Sequence, residues 1–191
     1  MLHSEIELRS YANSFWSELN KVFPHSNGEV GYLPIVFADP AKDIRAKHSF
    51  GFTHIHINDN TKTISLFPVV FLRNDVSSEE IKETIRHEII HYYLGIHYIY
   101  HEDSSSMFWL LCDIFDGGAY EPMDSIHGEI YEISKPYFKE AYNYYKIKDN
   151  KKLVSENLSI MLLLVNKVIG DNDVSYLKSK LNTCVRVCRT L

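Results

Sequence analysis

Hydrophobic positions first recur with a helical rhythm. Ile6, Tyr11, Phe15, Leu19 and Val22 follow Ser4, whose hydroxyl suits a helix cap, and Pro24 with Asn27-Gly28 closes the segment. The period then shortens. Residues 33–38 form a short apolar run, and residues 50–57 alternate, with Thr53, Ile55 and Ile57 on one face and Phe52, His54 and His56 on the other. Asp59-Asn60 reads as a hairpin turn, and residues 61–66 return as a third strand. Three strands packed on flanking helices predict a small antiparallel or mixed sheet.

The helical rhythm resumes at residue 77. Ser77 and Glu80 have capping-box spacing, and Glu79 and Glu80 suit the positive end of a helix dipole. Ile81, Ile85, Ile89, Tyr92 and Ile96 form the apolar stripe of this helix, and Gly95 reads as its terminator. A further helix, about 105–115, stops at Gly117-Gly118. Beyond it the pattern stays helical: 136–147, 153–169 closed by Gly170, and 173 to the C-terminus. The polar, basic stretch 148–152 reads as a linker. The prediction is an α+β domain over residues 1–125, its small sheet packed on the helix after residue 77, with a helical C-terminal extension over residues 126–191.

Composition narrows the partners. The chain has 191 residues, of which 45% are hydrophobic, 24% charged and 13% aromatic, enough to build a core and unlike a disordered chain. A formal charge of -5 argues against a general nucleic-acid binder. Lys146, Lys148, Lys151, Lys152, Lys178, Lys180, Arg186 and Arg189 make the C-terminal part locally basic, which reads first as solvated helix faces and second as a nucleic-acid contact. Cys112, Cys184 and Cys188 do not form an even disulfide framework. Charges in the first ten residues replace the apolar stretch of a signal peptide, and the longest apolar run, 160–165, is too short for a bilayer. A soluble cytoplasmic protein with no membrane contact is expected.

The chemistry lies in the helix after residue 77, which carries His87-Glu88-Ile89-Ile90-His91. Histidines at i and i+4 lie about 40° apart around a helix, so both imidazoles can face one ion. Zinc takes neutral imidazole nitrogens at about 2.0–2.1 Å, and catalytic sites keep one position for water. Glu88, about 100° around from His87, reaches that water without ligating. The pattern implies peptide-bond hydrolysis by a metal-activated water, with His87 and His91 as ligands and Glu88 as general base. Two histidines on an ordinary helix are the plain alternative; the helix's own cap and the preceding strands favour the metal. His101 is the favoured third ligand, with His97, Glu102, Asp103, Glu121 and Glu129 as alternatives. Tyr120, after the Gly117-Gly118 segment, is a candidate to stabilise an oxyanion, and residues 61–66 a candidate edge for an extended substrate. His54 and His56 read as polar residues of a half-exposed strand, Cys112 as a core thiol, and Cys184 with Cys188 as a helix-face pair.

The stretch 33–121 resembles the Spartan-related SprT-like family of zinc metallopeptidases. The likeness rests on Phe50-Gly51-Phe52, on the strand Thr63-Ile64-Ser65-Leu66, on the helix Glu80-Ile81-Lys82-Glu83-Thr84-Ile85-Arg86-His87-Glu88-Ile89-Ile90-His91-Tyr92, and on His101 followed by Phe108-Trp109. It implies a zincin-like fold, zinc on His87, His91 and His101, Glu88 as base, and a protein or peptide substrate. Phe108 follows His101 at a longer interval than in the family, which puts Asp103 nearer the expected position. Cys184 and Cys188 lack the second pair of the family's zinc ribbon. ImmA/IrrE-type peptidases are a second likeness, and would complete the site with an acidic residue on the next helix, Asp113 or Asp116. The reading from a different class is a non-catalytic zinc-binding interaction module or DNA-associated scaffold.

Overall fold

A computed structural model describes residues 4–24, 31–58, 63–97, 99, 101–119, 121–171 and 173–191, with the side chains of 55–58, 63–65 and 170–171 left out. Ser4 caps the first helix, α1 (Glu5–Val22), by accepting the Glu7 N–H. Its buried face is Leu8, Ala12, Phe15, Trp16, Leu19 and Val22. Ile6, placed on the apolar stripe by its spacing, is 82% exposed while Leu8 in the same turn is buried, because at about 100° per residue Ile6 points away from the buried face.

The sheet is mixed. Strand β1 (Val36–Ala38) runs parallel to β3 (Thr63–Phe71), and β2 (Gly51–Asn58) runs antiparallel to β3, in the order β1-β3-β2. β1 is shorter than its apolar run, and β3 extends past the expected residue 66 through Pro68. That proline is tolerated for a positional reason. Phe71 N–H bonds to Phe50 in the β2 direction and Leu72 N–H bonds to Ala38 in the β1 direction, so even positions face β1. β1 pairs only with residues 69–71, so position 68 lies beyond its end, where no ladder donor is required. β3, the strand expected to receive a substrate, is the central strand of the sheet; β2 is an outer strand. The expected turn at Asp59-Asn60 lies outside the described residues.

Helix α2 (Ser78–Ile96) begins with both halves of the capping box: Ser77 Oγ accepts the Glu80 N–H, and Glu80 accepts the Ser77 N–H at 2.7 Å. Such a cap stabilises a helix end by about 1 kcal/mol. Ile81, Ile85 and Ile89 are buried, together with Ile90, Tyr93 and Leu94. Gly95 lies in the last turn of the helix, one residue before its end, and an added Cβ there would lie 3.1 Å from Leu66 Cδ1, so its smallness also lets α2 lie close to β3.

Four helices follow: α3 (Ser106–Phe115), α4 (Ser125–Ile147), α5 (Lys151–Asp171) and α6 (Val174–Thr190). α4 starts well before the expected residue 136, with Asp124 as its cap and Pro136 in its interior. An interior proline costs a helix about 3 kcal/mol. Burial of Ile130 and Tyr131 before it and Phe138 and Ala141 after it outweighs that cost. One hydrophobic cluster runs from Leu8 of α1 to Cys188 of α6, so the C-terminal helices share the core of the α+β unit. Among the described residues, no helix is long and apolar enough to cross a membrane.

Candidate metal centre

α2 brings His87 and His91 onto one face, with their Nε2 atoms 3.2 Å apart. The turn between α2 and α3 adds Asp103, whose Oδ1 lies 3.1 Å from each Nε2. Among the described residues, these three side chains form a group close enough to hold one ion. The other ring nitrogens decide its chemistry. His87 Nδ1 lies 2.8 Å from the Gly118 carbonyl, and His91 Nδ1 meets the His101 carbonyl. A carbonyl only accepts, so each Nδ1 carries the proton, and in the neutral rings each Nε2 presents a lone pair. Two lone pairs and a carboxylate oxygen thus converge on one point, an arrangement that calls for a cation. Tetrahedral donors about 2.0–2.1 Å from a metal lie about 3.3–3.4 Å apart, close to the observed triangle. The residues therefore fit a divalent metal ion.

The outer partners are built by tertiary structure. α3 ends at Asp116 in the left-handed conformation (φ 54°), and Gly118 follows with φ 62°. Arg86 Nε holds this reversal by donating to the Asp116 carbonyl at 2.7 Å. A Cβ on Gly117 would meet Ile90 Cδ1 at 2.8 Å, so the segment passes tightly over α2 and presents the Gly118 carbonyl to His87. Phe108 stacks on the His91 ring at 4.0 Å between centroids and meets His87 edge-on at 4.8 Å, fixing both rings.

Glu88 is 4% exposed. Its Oε2 lies 3.0 Å from Thr53 Oγ1 of β2, whose hydroxyl also lies 3.1 Å from the Glu88 carbonyl. Burial pushes the Glu88 carboxyl above its ordinary pKa, against the lowering effect of the two imidazoles and Thr53. Asp103 moves the other way: the His87 and His91 imidazoles beside it favour its ionised form and hold it well below the usual carboxylate range. For His87, burial favours the neutral ring, but Asp103, the Glu88 charge and the Gly118 carbonyl together raise its pKa. Gly51 sets the spacing between β2 and α2, since a Cβ there would lie 2.8 Å from the Val69 carbonyl and 3.0 Å from Glu88 Cγ. Between these elements opens a cleft of about 700 Å³, lined by Phe52, Thr53, Thr84, His87, Glu88 and Asp103 among others.

Of the residues proposed from sequence, His87, Glu88 and His91 come together and His101 does not join the ligand group. Its ring lines the cleft with Nδ1 3.3 Å from the Ile99 carbonyl, and it serves the site through its backbone carbonyl. Asp103, two residues on, supplies the third donor, because the turn aims that carboxylate at the histidines. His97 caps α2 with its ring against Tyr93, and Glu102 and Glu121 line the cleft. Asp113 bonds Tyr131 and Lys135 on α4, Asp116 caps α3, and Glu129 lies on α4. Tyr120 lies outside the described residues. His54 packs its ring against Phe52 and Phe67, and all three cysteines are buried. Thr53 carries no motif signal, while Gly118 was visible only as part of a helix stop and Phe108 only as an aromatic after His101. Gly51 was visible only within an aromatic-glycine-aromatic element. Compared with known proteins, the chain matches no family model, no curated protein and no solved structure.

Proposed function

We propose that the chain is a zinc-dependent metallopeptidase of the zincin type, in keeping with its resemblance to the SprT-like family. The observation that carries this reading is the convergence of the His87 and His91 lone pairs and the Asp103 carboxylate on one point, with Glu88 beside them in an open cleft. Two nitrogens and one oxygen in a small triangle suit zinc. When bound there, zinc supplies a Lewis acid and acidifies water. The chain's own residues do the rest. His87, His91 and Asp103 would hold the metal at the wall of the cleft that would receive the substrate. Glu88 accepts the proton of the attacking water on its carboxylate, and returns it to the amine nitrogen as the water oxygen bonds the carbonyl carbon and the C–N bond breaks. Thr53 holds the Glu88 carboxylate in place, and burial keeps that carboxyl a willing proton acceptor. The outer strand β2, which contributes Phe52 and Thr53 to the cleft wall, offers an edge for an extended peptide.

Metal content and proteolysis of an unfolded protein substrate test the proposal together. Wild type and Glu88→Gln should each carry one zinc per chain, with activity about 10²–10⁴-fold lower in the variant. A metal-loaded wild type with no more activity than Glu88→Gln would replace the enzyme with a non-catalytic zinc-binding or DNA-associated module.

A further inference from the structure

We propose that Trp109 is a positioning residue for the third metal ligand, and that α4 braces it. The inference rests on the reading that His87, His91 and Asp103 hold a metal. The two histidines are spaced by α2 itself, whereas Asp103 belongs to an irregular turn and needs an external reference. Trp109, one turn into α3, supplies it: its indole N–H donates to the Asp103 carbonyl at 2.8 Å. The same turn is closed by the Ser105 N–H on the Glu102 carbonyl at 2.9 Å, and Ser105 Oγ caps α3 by accepting the Phe108 N–H. The Asp103 backbone is thereby locked to the start of α3 while its carboxylate projects to the metal centre.

Trp109 is itself held from behind. Its ring meets Tyr131 of α4 edge-on, with centroids 5.6 Å apart. The Tyr131 hydroxyl donates to Asp113 Oδ2 at 2.8 Å and accepts from Lys135 Nζ at 2.7 Å, and Lys135 lies 3.0 Å from Asp113. Trp109 and Asp113 lie four apart on α3, as Tyr131 and Lys135 do on α4, so two facing helix surfaces are joined by one polar network. Through this interface the C-terminal helices set where the third donor sits. Ligand carboxylates need placement to within about half an ångström, and loss of an outer-shell partner weakens metal binding about 10–100-fold.

The test uses the full-length chain and cobalt or zinc alone. Trp109→Phe keeps the ring and removes the N–H; Tyr131→Leu keeps the indole donor and removes its brace. Chelator competition should show about tenfold weaker binding for Trp109→Phe. The visible spectrum of bound cobalt should shift, and the melting temperature of the metal-free protein should change by only a few degrees. Tyr131→Leu should give a smaller loss in the same direction, and decides the matter should Trp109→Phe fail to fold. Wild-type affinity and an unaltered cobalt spectrum in the folded variants would reduce Trp109 to a packing residue and overturn the proposal. Asp103→Ala separates the two levels: cobalt binding equal to wild type in that variant removes Asp103 as a ligand, and the brace falls with it.

Discussion

The histidines of α2 and the carboxylate of the following turn reach the same point by different physics. His87 and His91 are four residues apart on a capped helix, so backbone hydrogen bonds fix their spacing and only ring rotation remains to be set. Asp103 sits where no repeating pattern operates, and its position is the sum of the His101 carbonyl on His91, the Trp109 indole and the cap of α3. Donors on one helix are specified by local sequence, and a donor on a turn by everything packed around it. The carboxylate is therefore the member of the set most exposed to change in the surrounding fold.

The sharpest way to break this comparison is at the third donor. Asp103→Ala should weaken zinc binding by roughly 100-fold or more, beyond the about 10–100-fold expected from an outer partner. His101→Ala should retain wild-type affinity, since the backbone carbonyl that orients His91 remains. Isothermal titration or chelator competition reads both, and the reverse ranking would assign the third place to the His101 ring. A middle effect is expected on the strand side. Gly51→Ala forces a methyl against the Val69 carbonyl and Glu88 Cγ, an overpacking that costs about 1–3 kcal/mol. Thermal unfolding should show a clear drop, with activity falling as Glu88 is pushed from its place; an unchanged melting curve would mean that β2 and α2 are not tightly apposed.

The smallest effect should come from Thr53→Val, which removes a hydroxyl from Glu88 and leaves the metal donors untouched. Activity should fall several-fold with zinc affinity unchanged. The pH profile carries the sign. The Thr53 hydrogen bond lowers the Glu88 pKa against the upward push of burial, so its loss raises that pKa further. Glu88 must be ionised to accept a proton, so the acid limb of the rate profile should move to higher pH. An acid limb that stays fixed, or moves down, would show that Thr53 does not tune the base.

Much of the architecture was legible locally. The caps at Ser4 and Ser77, the apolar face of α2, the stop of α3 near Gly117 and the three strands all follow from side-chain chemistry within a few residues. Gly95 reads as a helix end and lies one residue before it, but its missing side chain also lets α2 approach β3, which no local pattern records. The failures share that cause. Pro136 reads as a helix start because proline suits a first turn, but buried residues on both sides carry α4 through it. Residues 67–71 were missed as strand because Pro68 breaks the pattern, and only the length of β1 makes it harmless.

By itself, then, the sequence determined the pair of imidazoles, the carboxylate between them and the α+β order of elements, because helix periodicity and capping are short-range and repeat along the chain. Tertiary structure alone decided that Asp103 rather than His101 faces the histidines, that Gly118 and His101 lend them carbonyls, and that Thr53 meets Glu88. Those contacts join residues brought together by packing, where no local periodicity records which atoms will meet.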